Sequence, residues 1–202
     1  MVRPDDHSIQ PFRTSSSKKH MKSHCTPTVV MTITEYSKKH FLYRILNFLS
    51  KTECHSFIQW SEMTGYDRCD FEATRCTAER RQDRLSYDDS DGLISCSIFN
   101  RIKSLLPASI DGLAPYGCSR NIRMYKYRAG DLFSRHIDES NIDPITHAVS
   151  KLTLLIYLNG GGTEEEEDVA SSALRLKGGL TSFYSSHTSR AAPLVSVAPE
   201  EG

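Results

Sequence analysis

No stretch of this chain holds eighteen consecutive apolar residues, so nothing in it reads as a helix that would cross a bilayer. The opening decapeptide MVRPDDHSIQ has no apolar core of the kind that marks a secretory signal. An excess of one charge is missing too: Lys and Arg total 25 and Asp and Glu total 25, so no global field selects a nucleic acid or an anionic membrane as partner. The six cysteines, Cys25, Cys54, Cys69, Cys76, Cys96 and Cys118, include no C-x-x-C pair and no zinc-finger spacing. Together these absences point to an intracellular protein, cytoplasmic or nuclear, with reduced thiols and a neutral or peptide ligand.

What is present suffices for one core-forming domain: 202 residues, 38% of them hydrophobic. Residues 1–27 are polar, with a Ser15-Ser16-Ser17-Lys18-Lys19-His20 cluster, and cannot offset the entropy of ordering, so a disordered leader is expected there and a domain over 28–202. Ser50-x-x-Glu53 is a capping box, which predicts a helix over about 51–64 with Phe57, Ile58 and Trp60 on its apolar side and Gly65 as its stop. Ile94, Ile98, Ile102, Leu105 and Leu106 predict a second helix over about 93–106, ended by Pro107. After Pro115 short alternating runs predict strands over 121–127, 132–137, 152–158, 180–184 and 194–197. Gly160-Gly161-Gly162 and Gly178-Gly179 mark turns between them, and the acidic run Glu164 to Asp168 reads as a solvated loop. The class expected is α+β, mainly β, with an antiparallel sandwich in the second half.

His136 and Asp138 form a His-x-Asp pair at the end of a predicted strand, where residues two apart point to one side. An imidazole and a carboxylate so placed can reach one metal ion. With a distant second His they would complete the 2-His-1-carboxylate arrangement that leaves positions on Fe(II) open. Taken alone, the same pair also describes a structural His–Asp hydrogen bond. Its context is Tyr127, Gly130 and Phe133 just before it, then Thr153, Tyr157, Leu158 and Asn159, then Gly178, Gly179, Thr181 and Phe183.

In that order these residues resemble the catalytic domain of the 2-oxoglutarate- and Fe(II)-dependent dioxygenases of the prolyl 4-hydroxylase branch, over roughly Leu46 to the C-terminus. The upstream stretch, with its capped helix, Arg81, Arg84 and the second helix, resembles the helical support of such enzymes. The resemblance implies a double-stranded β-helix (jelly roll) with N-terminal supporting helices. It implies His136 and Asp138 as catalytic iron ligands, and Tyr127 and Tyr157 as walls or hydrogen-bond donors for 2-oxoglutarate. Arg135 would stand on the substrate side, although on a strand it points away from His136 and solvation explains it as well. For Tyr157 a buried strand tyrosine is an equally good reading. The implied chemistry couples decarboxylation of 2-oxoglutarate to hydroxylation of a peptide or protein side chain by O₂, with ascorbate as auxiliary reductant.

Family members continue past a Val-x-Pro-x-x-Gly turn, here Val197 to Gly202, into strands carrying a distal His and the Arg or Lys that clamps 2-oxoglutarate. The expectation is therefore a truncated form, lacking the last core strands, poorly stable alone and with little hydroxylase activity. His187 and Arg190 lie nearby but precede the turn. Two other readings stand beside this one. One is a non-catalytic binding or regulatory protein on the same scaffold. The other is a cupin-like metal site using His136, Asp138 and His147 or His187.

Overall fold

The computed structural model describes residues 31–37, 41–75, 77–160, 178–185 and 191–202. The expected leader over 1–27, the acidic run, His187 and Arg190 lie outside the described residues. The described chain is mixed α+β, mainly β, and its sheets are antiparallel. None of its helices is long and apolar enough to cross a membrane. It groups into two compact units, one formed by the chain up to Gln59 with Leu155–Gly202, the other by Trp60–Leu154.

In the first unit β1 (Thr32–Ser37) and β2 (Leu42–Leu46) make an antiparallel hairpin with an irregularity between Glu35 and Ser37. Helix α1 (Lys51–Thr64) begins here and has the expected bounds. Its cap is the predicted box: Glu53 Oε2 accepts the Ser50 N–H at 2.9 Å, and Ser50 Oγ accepts the Glu53 N–H at 3.3 Å. Phe48, Leu49, Cys54, Phe57 and Val197 are the buried apolar residues of this unit. The C-terminal segment is stitched in by backbone bonds, with Phe48 N–H donating to Gly202 O and Gly202 N–H donating to Tyr157 O, both at 3.0 Å. Gly202 has φ +89°, and a Cβ there would collide with the Leu49 carbonyl, so only glycine fits.

The second unit is built on a four-stranded sheet of β3 (Asp67–Phe71), β4 (Arg80–Asp88), β5 (Asn121–Lys126) and β6 (Leu132–Phe133). Strand β4 is central. It pairs with β3 along one edge, and along the other with β5 as far as Asp83↔Lys126 and then with β6 from Arg81↔Leu132. Gln82 therefore faces a turn, residues 127–131, where the ladder is interrupted. Alternation along β4 sorts the sheet into two faces. Leu85, paired with Met124, is buried on one face, where Tyr87 meets Trp60 of α1 edge-on at 4.9 Å between ring centroids. Arg80, Gln82, Arg84 and Ser86 line the other.

Helix α2 (Leu93–Ile102) buries Ile94, Ile98 and Ile102. The buried Asp89 carboxylate accepts the N–H groups of Ile94 and Ser95 at its start. Burial works against that charge, but these N–H groups outweigh it and hold the carboxyl below its ordinary value.

Several expectations need correction. Strands β3 and β4 lie in the stretch expected to be helical support. Helix α2 ends at Ile102 rather than 106, and the strand expected over 132–137 ends at Phe133. No strand forms over 152–158, because those residues find no ladder partner among the described residues and Leu152, Leu154 and Leu155 stay exposed. Gly130, Gly178 and Gly179 have positive φ as turn glycines, Gly160 does not, and Gly161 and Gly162 lie outside the described residues.

Candidate functional site

The turn over 127–131 is fixed by charge. Gly130 takes φ +85°, and Asp131 Oδ2 accepts the Arg128 N–H at 2.8 Å, closing the turn. Arg68 on β3 reaches across with a fork of two bonds to the Asp131 carboxylate, at 2.7 and 2.9 Å, and a third at 3.3 Å to Asp83. Arg128 closes on the other oxygen of Asp83 at 2.7 Å. The Arg68 guanidinium, helped by the Arg128 N–H, pulls the Asp131 carboxyl down to about 2, and the Arg68 charge is held more tightly in turn.

Beyond the turn, Ser134 N–H extends the ladder by one bond to Glu79 O at 2.8 Å, and the chain then runs irregularly through His136 and Asp138. The two side chains nonetheless come together, with His136 Nε2 3.3 Å from Asp138 Oδ1. His136 Nδ1 lies 2.8 Å from Ser134 O, and because a carbonyl only accepts, Nδ1 donates its proton there. Asp138 Oδ2 accepts the Thr153 hydroxyl at 2.9 Å, while Oδ1 faces the imidazole. The imidazole stacks on Phe133, 3.6 Å between centroids and 12° from parallel, and Arg80 lies 4.6 Å from the same ring. Sequence reading named the two donors but not Ser134, Thr153 or the stack. Thr153 was visible only as part of a motif.

A divalent ion fits this donor pair. Imidazole nitrogens and carboxylate oxygens bind at about 2.1 Å, so two donors at right angles on one ion stand about 3.0 Å apart, close to the spacing found. Each donor's remaining atom is anchored by a neighbour, as is usual around protein metal sites. Among the described residues, however, no cluster of three or more His, Cys, Asp or Glu side chains stands ready for one ion. His147 does not join His136 and Asp138 in such a cluster, and the cupin-like arrangement gains nothing from it.

The two tyrosines fall in different units. Tyr127 belongs to the second and donates its hydroxyl to Gln82 Oε1 at 2.6 Å. Tyr157 belongs to the first, half-buried, and donates to Thr181 Oγ1 at 2.6 Å. Both hydroxyl protons are therefore committed to protein acceptors. Arg135 is half-buried rather than fully solvated.

Gln82 was not singled out by sequence. Its side chain is wholly buried, and its Nε2 has no hydrogen-bond partner, a defect that costs about 1–3 kcal/mol where it is left unmet. Elsewhere, burial pushes the Cys54 thiol up to about 11, which keeps it protonated and unsuited to nucleophilic work. Cys54, Cys69, Cys96 and Cys118 form no disulfides. Compared with protein-family models, curated proteins and solved structures, the chain matches none.

Proposed function

We propose that this chain belongs to the Fe(II)- and 2-oxoglutarate-dependent dioxygenases of the prolyl 4-hydroxylase type, built on a double-stranded β-helix, and serves hydroxylation of a peptide or protein side chain in a reducing, intracellular compartment. The observation that carries this reading is the approach of His136 Nε2 and Asp138 Oδ1 to 3.3 Å, each with its other atom tied down. The ordered sequence motifs around them support it, and so do the unpaired cysteines.

Iron, when bound, supplies decarboxylation of 2-oxoglutarate and oxidation of a C–H bond by O₂, with ascorbate as reductant. The chain's own residues have simpler tasks. Ser134 O keeps the His136 proton on Nδ1, and Thr153 sets the Asp138 carboxylate plane. Phe133 shields one face of the imidazole from water. In this scheme Tyr127, in the same unit as His136 and Asp138, lends apolar ring surface to the 2-oxoglutarate site, its proton being engaged by Gln82.

A second reading is favoured by one observation: the described residues supply no three-donor cluster. On that reading the chain is a non-catalytic binding or regulatory protein that retains the scaffold. Anaerobic titration with Fe(II), with and without 2-oxoglutarate, separates the two. A visible charge-transfer band that needs both additions and His136 supports the dioxygenase. No band from a protein that stays folded supports the binding module.

A further inference from the structure

Helix α2 and strand β5 are joined by contacts that the site above does not use. The Asp89 N–H donates to Arg120 O at 2.9 Å, and Arg120 Nη1 donates to Ser90 O, also at 2.9 Å. The chain entering α2 and the chain entering β5 are thereby tied side by side. At this junction lies Gly92, buried and with φ +72°. A Cβ placed there would stand 3.5 Å from Cys96 Sγ and 3.8 Å from the Arg120 guanidinium carbon, so the Cys96 thiol and the Arg120 side chain converge on this one glycine.

Cys118 comes two residues before Arg120, on the irregular stretch 114–119 that leads into β5, so the chain brings a second thiol to the same junction. Burial, and after it the charge of the Cys96 thiolate, push the Cys118 thiol up, an influence that only a near neighbour exerts. Cys96 is exposed and Cys118 half-buried. The other described cysteines differ: Cys54 is buried with its thiol pushed up to about 11, and Cys69 lies in β3 opposite Gln82.

We propose that Cys96 and Cys118 form a reversible disulfide when the chain meets hydrogen peroxide, bolting the first turn of α2 to the chain that enters β5. A disulfide requires Cα atoms about 4.4–6.8 Å apart. The stretch before β5 has no ladder to break in meeting that requirement, while α2 holds Cys96 in place. Cys96, being exposed, is the sulfur that peroxide reaches first. Its thiolate attacks one peroxide oxygen, the O–O bond breaks, and Cys96 becomes a sulfenic acid as water leaves. The Cys118 sulfur then displaces the sulfenic hydroxyl, forming the S–S bond and releasing a second water. Two thiol hydrogens and two electrons pass to one peroxide. At rest the pair stays as two thiols, and nothing in this step depends on iron or on the dioxygenase reading.

The test treats the reduced full chain, with a chelator present, with one equivalent of hydrogen peroxide. Free thiols are then alkylated and the digest is mapped by mass spectrometry without reduction. A linked pair of peptides holding Cys96 and Cys118 is expected, with Cys54 and Cys69 still alkylated. The melting temperature should rise by about 5 °C and return on adding dithiothreitol. Cys118→Ser should leave a sulfenic acid on Cys96 that dimedone traps, Cys96→Ser should leave Cys118 a free thiol, and neither variant should gain stability from peroxide. Melting curves of both variants establish that they are folded. In urea the same bridge should form at least tenfold more slowly, because the fold no longer brings the two thiols together. A bridge between any other pair, both thiols left free, a Cys96 driven to sulfinic acid beside a free Cys118, or undiminished bridging in urea would overturn the inference.

Discussion

Two neighbouring stretches of the second unit are held in opposite ways. Residues 127–131 are locked by paired charges, with Arg68 and Arg128 meeting Asp131 and Asp83, so that each carboxylate is consumed by structure. Only a few residues later, His136 donates to the Ser134 carbonyl, Asp138 accepts the Thr153 hydroxyl, and the two side chains stand 3.3 Å apart beside one ring stack, 33% and 58% exposed. An ion pair satisfies a carboxylate and removes it from chemistry. A hydroxyl or a carbonyl orients a donor and leaves its other atom available. The difference separates groups that fix the scaffold from groups that can work.

The sharpest way to break this comparison is to delete one residue from each side. His136→Ala should abolish divalent-metal binding, measured by calorimetry, while leaving the melting temperature close to wild type. Asp131→Asn should do the reverse, giving the largest fall in melting temperature of this set and metal affinity unchanged once folded. The same locked carboxylate predicts a pH dependence. The folded Asp131 sits at about 2, below the unfolded value of about 3.9, so its contribution is present above the unfolded value and is lost as pH falls through the folded one. Thermal melts of wild type should therefore lose stability between about pH 4 and about pH 2, a limb that Asp131→Asn should lack.

Smaller changes sharpen the orienting side. Thr153→Val removes the hydroxyl that sets Asp138, and metal affinity should fall about tenfold with little change in the melt. Phe133→Leu removes the stack and should cost about 1 kcal/mol of stability in denaturant titration, together with a slight loss of metal affinity.

The legible parts of the sequence were those whose signals are local. The start of helix α1 was legible because Ser50 and Glu53 cap it through bonds three residues apart. The turn at Gly130 was legible for the same reason, whereas His136 and Asp138 were expected to meet on a strand and do so on irregular chain beyond Phe133. Strand β4 was not, because Arg80-Arg81-Gln82-Asp83-Arg84 shows no hydropathy alternation, and its polar groups are satisfied by partners far away in sequence. Arg68 and Asp131, 63 residues apart, form a bond that no spacing rule reveals. The opposite error occurred over 152–158, where apolar residues suggested a strand but no partner among the described residues completes a ladder. Gln82 became visible only when its amide was found buried beside an interrupted ladder.

The central claim is that His136 and Asp138 are held with Nε2 and Oδ1 side by side, placed to share one ion. A long-range proton–nitrogen correlation spectrum of His136, recorded at mildly alkaline pH before and after addition of Zn(II), tests it directly. The account predicts a proton on Nδ1, a bare Nε2, and a large Zn(II)-induced shift of Nε2 that Asp138→Ala diminishes. A proton on Nε2, or a Zn(II) response indifferent to Asp138, would contradict it.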